Sequence, residues 1–178
     1  MPVPDFSPGE VLTAAAMDSI GLWLISTTTI GTGVTSVPVN NCFPTAYSHF
    51  KIVIDNTDTN NTASHDIQLQ GISTSTYLSG GNFMTWGASG ITGYGPAFNT
   101  TWIVSANVVA GTATLIQMDI WNPNNTRRKF MTGTSMAGNG HFFTNHLSTS
   151  SSTATGFTLS KSGNTMTGGT IRVYGYRN

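Results

Sequence analysis

From Leu22 onward the chain is a succession of short runs in which apolar residues alternate with polar ones, broken repeatedly by Gly, Asn, Ser or Pro. This pattern limits the fold more than any other feature. Period-two alternation suits half-buried strands, whereas a helix needs apolar residues three and four apart. Residues 22–27, 34–39, 50–55, 67–70, 102–106 and 114–121 read as strands. Residues 128–131, 141–144, 156–160 and 170–176 follow in the same style. Phe50, Ile52 and Ile54 fall on one face, and Pro38 marks an edge position. Residues 55–63 read as a polar loop, 77–96 as an elaborated glycine-rich loop or flap, and 148–155 as a solvated Ser/Thr loop. Roughly nine or ten strands without an intervening helix predict an all-β domain, a sandwich or barrel, and exclude a parallel α/β sheet.

Composition narrows the function. At 178 residues the chain is one domain's worth. Only 8% of it is charged, against about 25% in ordinary soluble domains. Seven basic residues balance seven acidic ones, which argues against a duplex-DNA binder, since that needs a basic patch to displace counterions. Helical bundles, with Glu- and Lys-rich outer faces, are excluded on the same ground. Disorder is excluded by 38% hydrophobic and 10% aromatic content. Polarity comes from Thr, Ser and Asn, which dress strands and turns without charge. Zero net charge gives little colloidal repulsion and suits a chain held in an assembly.

Residues 1–21 read as a separate arm. Ser7 can cap a helix, Pro8 suits its first position, Glu10 completes a capping box and Gly21 ends it. Val11, Leu12, Ala15 and Ala16 lie on one stripe. So short a helix is marginal alone in water and must dock, on its own domain or on a neighbouring chain. The expected division is therefore an arm over 1–21, serving assembly, and a β-sandwich over 22–178.

Cys42 stands alone, so no internal disulfide can form, and it reads as a small core residue. The first basic residue is Lys51, so no secretion signal is expected. The apolar run 20–25 is too short to insert in a membrane.

No catalytic, cofactor or metal motif emerges. Asp55, Asp58 and Asp66 cluster about one stretch, and Asp119 lies mid-strand. The segment 55–60 loosely matches a calcium loop but lacks its glycine and distal Glu, so Asx-turn chemistry is the plainer reading. His49, His65, His141 and His146 match no metal-ligand spacing. The basic run Arg127, Arg128, Lys129 reads as a solvated turn. Phe83, Trp86, Tyr94 and Trp121 lie in or beside stretches rich in Gly, Ser and Asn. Such aromatics can grip a neutral sugar by its C–H face, or can fill a core or inter-subunit seam.

Three segments resemble tailed-bacteriophage virion structural proteins. They are Phe6-Ser7-Pro8-Gly9-Glu10-Val11-Leu12-Thr13-Ala14, the stretch 39–54, and the ending 168–178. The resemblance implies a jelly-roll-like sandwich that forms a homo-oligomer, with a trimer expected for a fibre. It implies a chain made in the host cytoplasm, resident in the virion, bound to other virion proteins, without enzymatic activity or cofactor. The first expectation is a tail-fibre or tail-associated protein that contacts host surface glycan through Phe83, Trp86, Tyr94 and Trp121, anchored by Val11, Leu12, Ala15 and Ala16. The alternatives are a capsid decoration or head-fibre protein, a glycan-cleaving depolymerase, and a stand-alone lectin. No direct nucleic-acid contact is expected.

Overall fold

A computed structural model describes residues 21–59, 63–73, 75–87, 90–94, 98–108, 111–137, 140–161 and 163–176. The expected helical arm and its Val11, Leu12, Ala15 and Ala16 lie outside the described residues. Those residues hold fifteen strands and no helix. In chain order they are β1 (Leu22–Thr29), β2 (Thr32–Val34), β3 (Ser36–Val39), β4 (His49–Thr59) and β5 (Ala63–Leu69). Then come β6 (Tyr77–Thr85), β7 (Ile91–Tyr94), β8 (Phe98–Asn99), β9 (Trp102–Val108) and β10 (Ala113–Trp121). The last are β11 (Lys129–Ala137), β12 (Gly140–Ser148), β13 (Phe157–Lys161), β14 (Met166–Thr167) and β15 (Thr170–Tyr176).

The strands form two antiparallel sheets. The larger runs β1-β15-β4-β10-β11-β12-β6-β7, with β14, β2 and β8 attached at its margins. The smaller runs β3-β13-β5-β9. Inward residues of both sheets join in one apolar core: Phe50, Ile52, Ile54, Ile116, Met118 and Ile120 from the larger, and Val39, Ile67, Leu69, Trp102, Phe157 and Leu159 from the smaller. The alternation read in β4 and β10 is the cause, since every second side chain leaves water.

Three segments differ from the sequence reading. The stretch 77–96 is not a flap: it contributes β6 and β7, and Tyr77 is fully buried. Its glycines concealed the alternation. The phenol of Tyr77 donates to Ile72 O at 2.8 Å, giving the buried hydroxyl a partner. The polar stretch 55–63 is largely strand as well, because β4 runs to Thr59 and β5 starts at Ala63. Lys129 is not in a solvated turn: it is fully buried. Its ammonium donates to Asn125 O, Arg127 O and Ser150 O at 3.0, 2.8 and 3.0 Å.

That lysine ties together the connections at one end of the larger sheet. Asn124 Nδ2 donates to Pro44 O and Tyr47 O at 2.9 and 2.7 Å, and Ala154 N donates to Pro123 O at 2.8 Å. Asn122 takes φ 61°, a conformation Asn tolerates better than most residues. This web fixes the ends of β4, β10 and β11, from which the outer face is presented.

Candidate functional site

The outward face of the larger sheet carries most of the chemistry on the described surface. Strand register places its side chains in rows that cross the strands. The first row passes from Leu22 through Tyr176, His49, Trp121, Phe130 and Leu147 to Leu78. The second runs Tyr174, Lys51, Asp119, Thr132, Asn145, Gly80. The third runs Arg172, Val53, Gln117, Thr134, Phe143, Asn82. The chain neighbours of these residues point inward: Phe50, Ile52, Met118, Ile120, Met131 and Thr144 are buried.

At one end of the first row, His49 is packed between Trp121 and Tyr176. The ring centroids are 4.5 and 3.9 Å apart and the planes within 16° and 13°. Beneath this stack lies Asp119. Tyr176 Oη donates to its Oδ1 at 2.7 Å, and Lys51 Nζ lies 3.5 Å from Oδ2. His49 Nε2 is 3.4 Å from Oδ1 without hydrogen-bond alignment. Burial holds the His49 imidazole below its usual pKa, against the pull of Asp119. Burial, reinforced by Asp119, pushes the Tyr176 phenol up to about 12. The constellation is a carboxylate paired with a phenol and an ammonium beside stacked rings. Further along the sheet, Asp55 accepts hydrogen bonds from Thr170 and Arg172, which hold its carboxyl below the ordinary range.

Next to Asp119 the face is hollowed. A polar hollow of about 380 Å³ is lined by Lys51, Gln117, Asp119, Thr132, Thr134, Phe143 and Asn145, with Gly133 and Thr144 between them. A second, of about 300 Å³ and mostly apolar, lies over Leu78, Gly80 and Leu147 and shares Asn145. Both volumes lie at the lower end of the range of small-molecule sites, about 300–1,000 Å³. Hydroxyls and amides there can donate and accept, and the Phe143 ring is 42% exposed.

The four aromatics singled out from sequence do not come together. Trp121 belongs to the first row, at the end of β12 marked by Ser148. Trp86 sits beyond the opposite end, where Thr85 pairs with Gly140. It is 57% exposed, and its indole N–H donates to Ala137 O at 3.3 Å. Phe83 is half-buried and packs on Phe142, centroids 6.4 Å apart. Tyr94 closes β7, paired with Gly81. Of the residues that line the hollows, only Asp119 and His146 are among the candidates named from the sequence, and neither as a sugar contact. Alternation in β15 and β4 was a usable signal for Tyr176 and Lys51, but register across five strands leaves no local mark in sequence.

The remaining histidines divide. His141 is half-exposed, while His65 and His146 are buried, with Nδ1 2.8 Å from Ser105 Oγ and 3.0 Å from Ser79 Oγ. Among the described residues, no three His, Cys, Asp or Glu side chains meet in a way that could hold a metal ion. No described helix is long and apolar enough to cross a membrane. Set against family models, curated proteins and solved structures, the chain matches none.

Proposed function

We propose that this chain is a structural component of a tailed-phage virion, a tail-fibre or tail-associated protein that contacts a glycan on the host surface. We infer with it a jelly-roll sandwich. The observation that carries the reading is strand order. The run β1-β15-β4-β10 in one sheet and β3-β13-β5-β9 in the other is the order expected when eight strands fold as paired Greek keys. That architecture serves viral coat and sugar-binding domains. The excursions β6–β8 and β11–β12 extend the first sheet past β10 and widen its outer face.

Two of the three segments that resemble virion proteins supply β4 and β15, which are neighbours in this sheet. The face they help to build is dressed in amides, hydroxyls and rings, and its charged residues Asp55, Asp119, Lys51 and Arg172 are paired. Such a surface suits uncharged partners: other copies of the chain, other virion proteins and sugar. In this reading residues 1–21 anchor the domain, and the fibre is a trimer.

The test is the protein composition of purified particles of the phage that encodes the chain. Presence at low copy number supports the tail. A copy number matching the capsomers moves the protein to capsid decoration, and absence from particles overturns the virion reading.

A further inference from the structure

We propose that the two hollows on the larger sheet form one trench that takes a linear, uncharged polysaccharide lying across the strands. The proposal rests on the glycan-contact part of the reading above and deepens it by naming the ligand class and the site.

The first argument is shape. The polar hollow spans β4, β10, β11 and β12, the apolar one lies over β12 and β6, and the two meet at Asn145. Five adjacent strands at a spacing of about 4.8 Å give a trench about 19 Å long. Its middle follows the second register row, which is low because Thr132 and Asn145 are short and Gly80 has no side chain. The flanking rows are taller, with Phe130 and Leu147 on one side and Phe143 on the other. A groove of this length and openness fits an extended chain better than a compact metabolite.

The second argument is charge. Of the lining residues only Lys51 and Asp119 are charged, and they lie 3.5 Å apart. Asp119 also accepts from Tyr176. A polyanion would find no unpaired cation here, and binding to nucleic acid or an acidic glycan needs several. Thr132, Thr134, Gln117 and Asn145 offer donors and acceptors together, the mixture that sugar hydroxyls require. Phe143 on one flank and Leu147 and Leu78 on the other supply apolar surface for C–H faces.

The third argument weighs against capture of a peptide by strand addition. The trench lies in the interior of the sheet, where β10, β11 and β12 are each paired on both sides. A peptide that binds by strand addition needs a free edge, and none is available here. Recognition must come from side chains, and these stand on strands whose inward neighbours are core residues, so the site is held rigidly.

The experiment measures binding of the full chain to a panel of soluble linear neutral glycans: dextran, amylose fragments, mannan, galactan and chitin oligomers. Hyaluronan and polysialic acid serve as anionic controls. The expected result is binding to at least one neutral chain, tighter for longer oligomers and insensitive to salt. Asn145→Ala and Phe143→Ala should each weaken it at least about tenfold. Thr132→Trp, which fills the floor, should abolish it. All three positions are exposed, so thermal unfolding midpoints should stay near that of the unaltered chain. Trp86→Ala should bind like the unaltered chain.

Binding that survives Thr132→Trp but is lost in Trp86→Ala overturns the trench and leaves the glycan reading standing. Binding to no neutral chain, or only to the anionic ones, overturns the trench. Self-association abolished by Thr132→Trp, without sugar binding, assigns the face to a second copy and overturns it as well. Particle composition decides the virion reading separately.

Discussion

Tyr176 Oη donates a 2.7 Å hydrogen bond to Asp119 Oδ1, joining β15 to β10 across the intervening β4. The bond passes beside His49, whose ring lies between Tyr176 and Trp121. Three strands are thus clamped at the end of the sheet that flanks the trench. Tyr176→Phe keeps the ring stack and removes the donor. It should cost about 1 kcal/mol, read as a lower urea midpoint with unchanged slope. No loss of stability would show that the bond only decorates a register fixed by packing.

Lys129 should be far less tolerant. Its ammonium satisfies three backbone carbonyls in a site closed to water. Lys129→Met fills the space but leaves those carbonyls without their donor, at an expected cost of about 3 kcal/mol. Denaturant unfolding measures it. A variant as stable as the parent would mean that the connections 122–128 and 148–154 hold without the lysine.

Acid should weaken the fold through His65 and His146. Burial holds their pKa values near 4 and 3, against an ordinary 6.5, and Lys161 adds to the effect at His65. Below pH 6.5 the unfolded chain takes up these protons and the folded chain does not, so stability falls as pH falls. Asp66 acts in the opposite sense: burial lifts its carboxyl from 3.8 to about 6, so protonation below pH 6 favours the folded state. Two imidazoles outweigh one carboxyl. Stability at about pH 5 should lie about 2–3 kcal/mol below that at about pH 7.5. His146→Gln, which can keep the bond to Ser79, should flatten the dependence by about 2 kcal/mol. Equal urea midpoints at the two pH values would refute this account.

Cys42 should be chemically silent in the native protein. Its thiol has no exposed surface, and burial raises its pKa to about 12. The thiolate is the reactive form, so a disulfide reagent at neutral pH should label the chain only after unfolding. Stoichiometric labelling within the mixing time would place Cys42 at an opening not seen in the fold.

Gly156 tests the fit between sheet strands directly. A β-carbon there would lie 2.1 Å from Val39 O, so even Gly156→Ala must push β13 away from β3. A cost of about 3 kcal/mol is expected, near the upper end for overpacking. An alanine variant with an unchanged unfolding midpoint would show that these strands can part freely.

The sequence by itself determined the class of fold, because alternation is local. Phe50, Ile52 and Ile54 announce a strand with a wet and a dry side, and Thr170 to Tyr176 does the same. It also determined the uncharged character of the surface, since Thr, Ser and Asn replace Lys and Glu throughout. Glycines hid the strand that begins at Tyr77, and the basic run hid the burial of Lys129, whose three carbonyl partners come from two separate connections. Only the tertiary structure decided which strands are neighbours, and with that which outward side chains share a row. Asp119 meets Tyr176, and Thr132 meets Asn145, because register is set jointly by the packing of two sheets and the geometry of distant turns. No single segment carries that information, so the trench exists in the assembled sheet and in none of its strands alone.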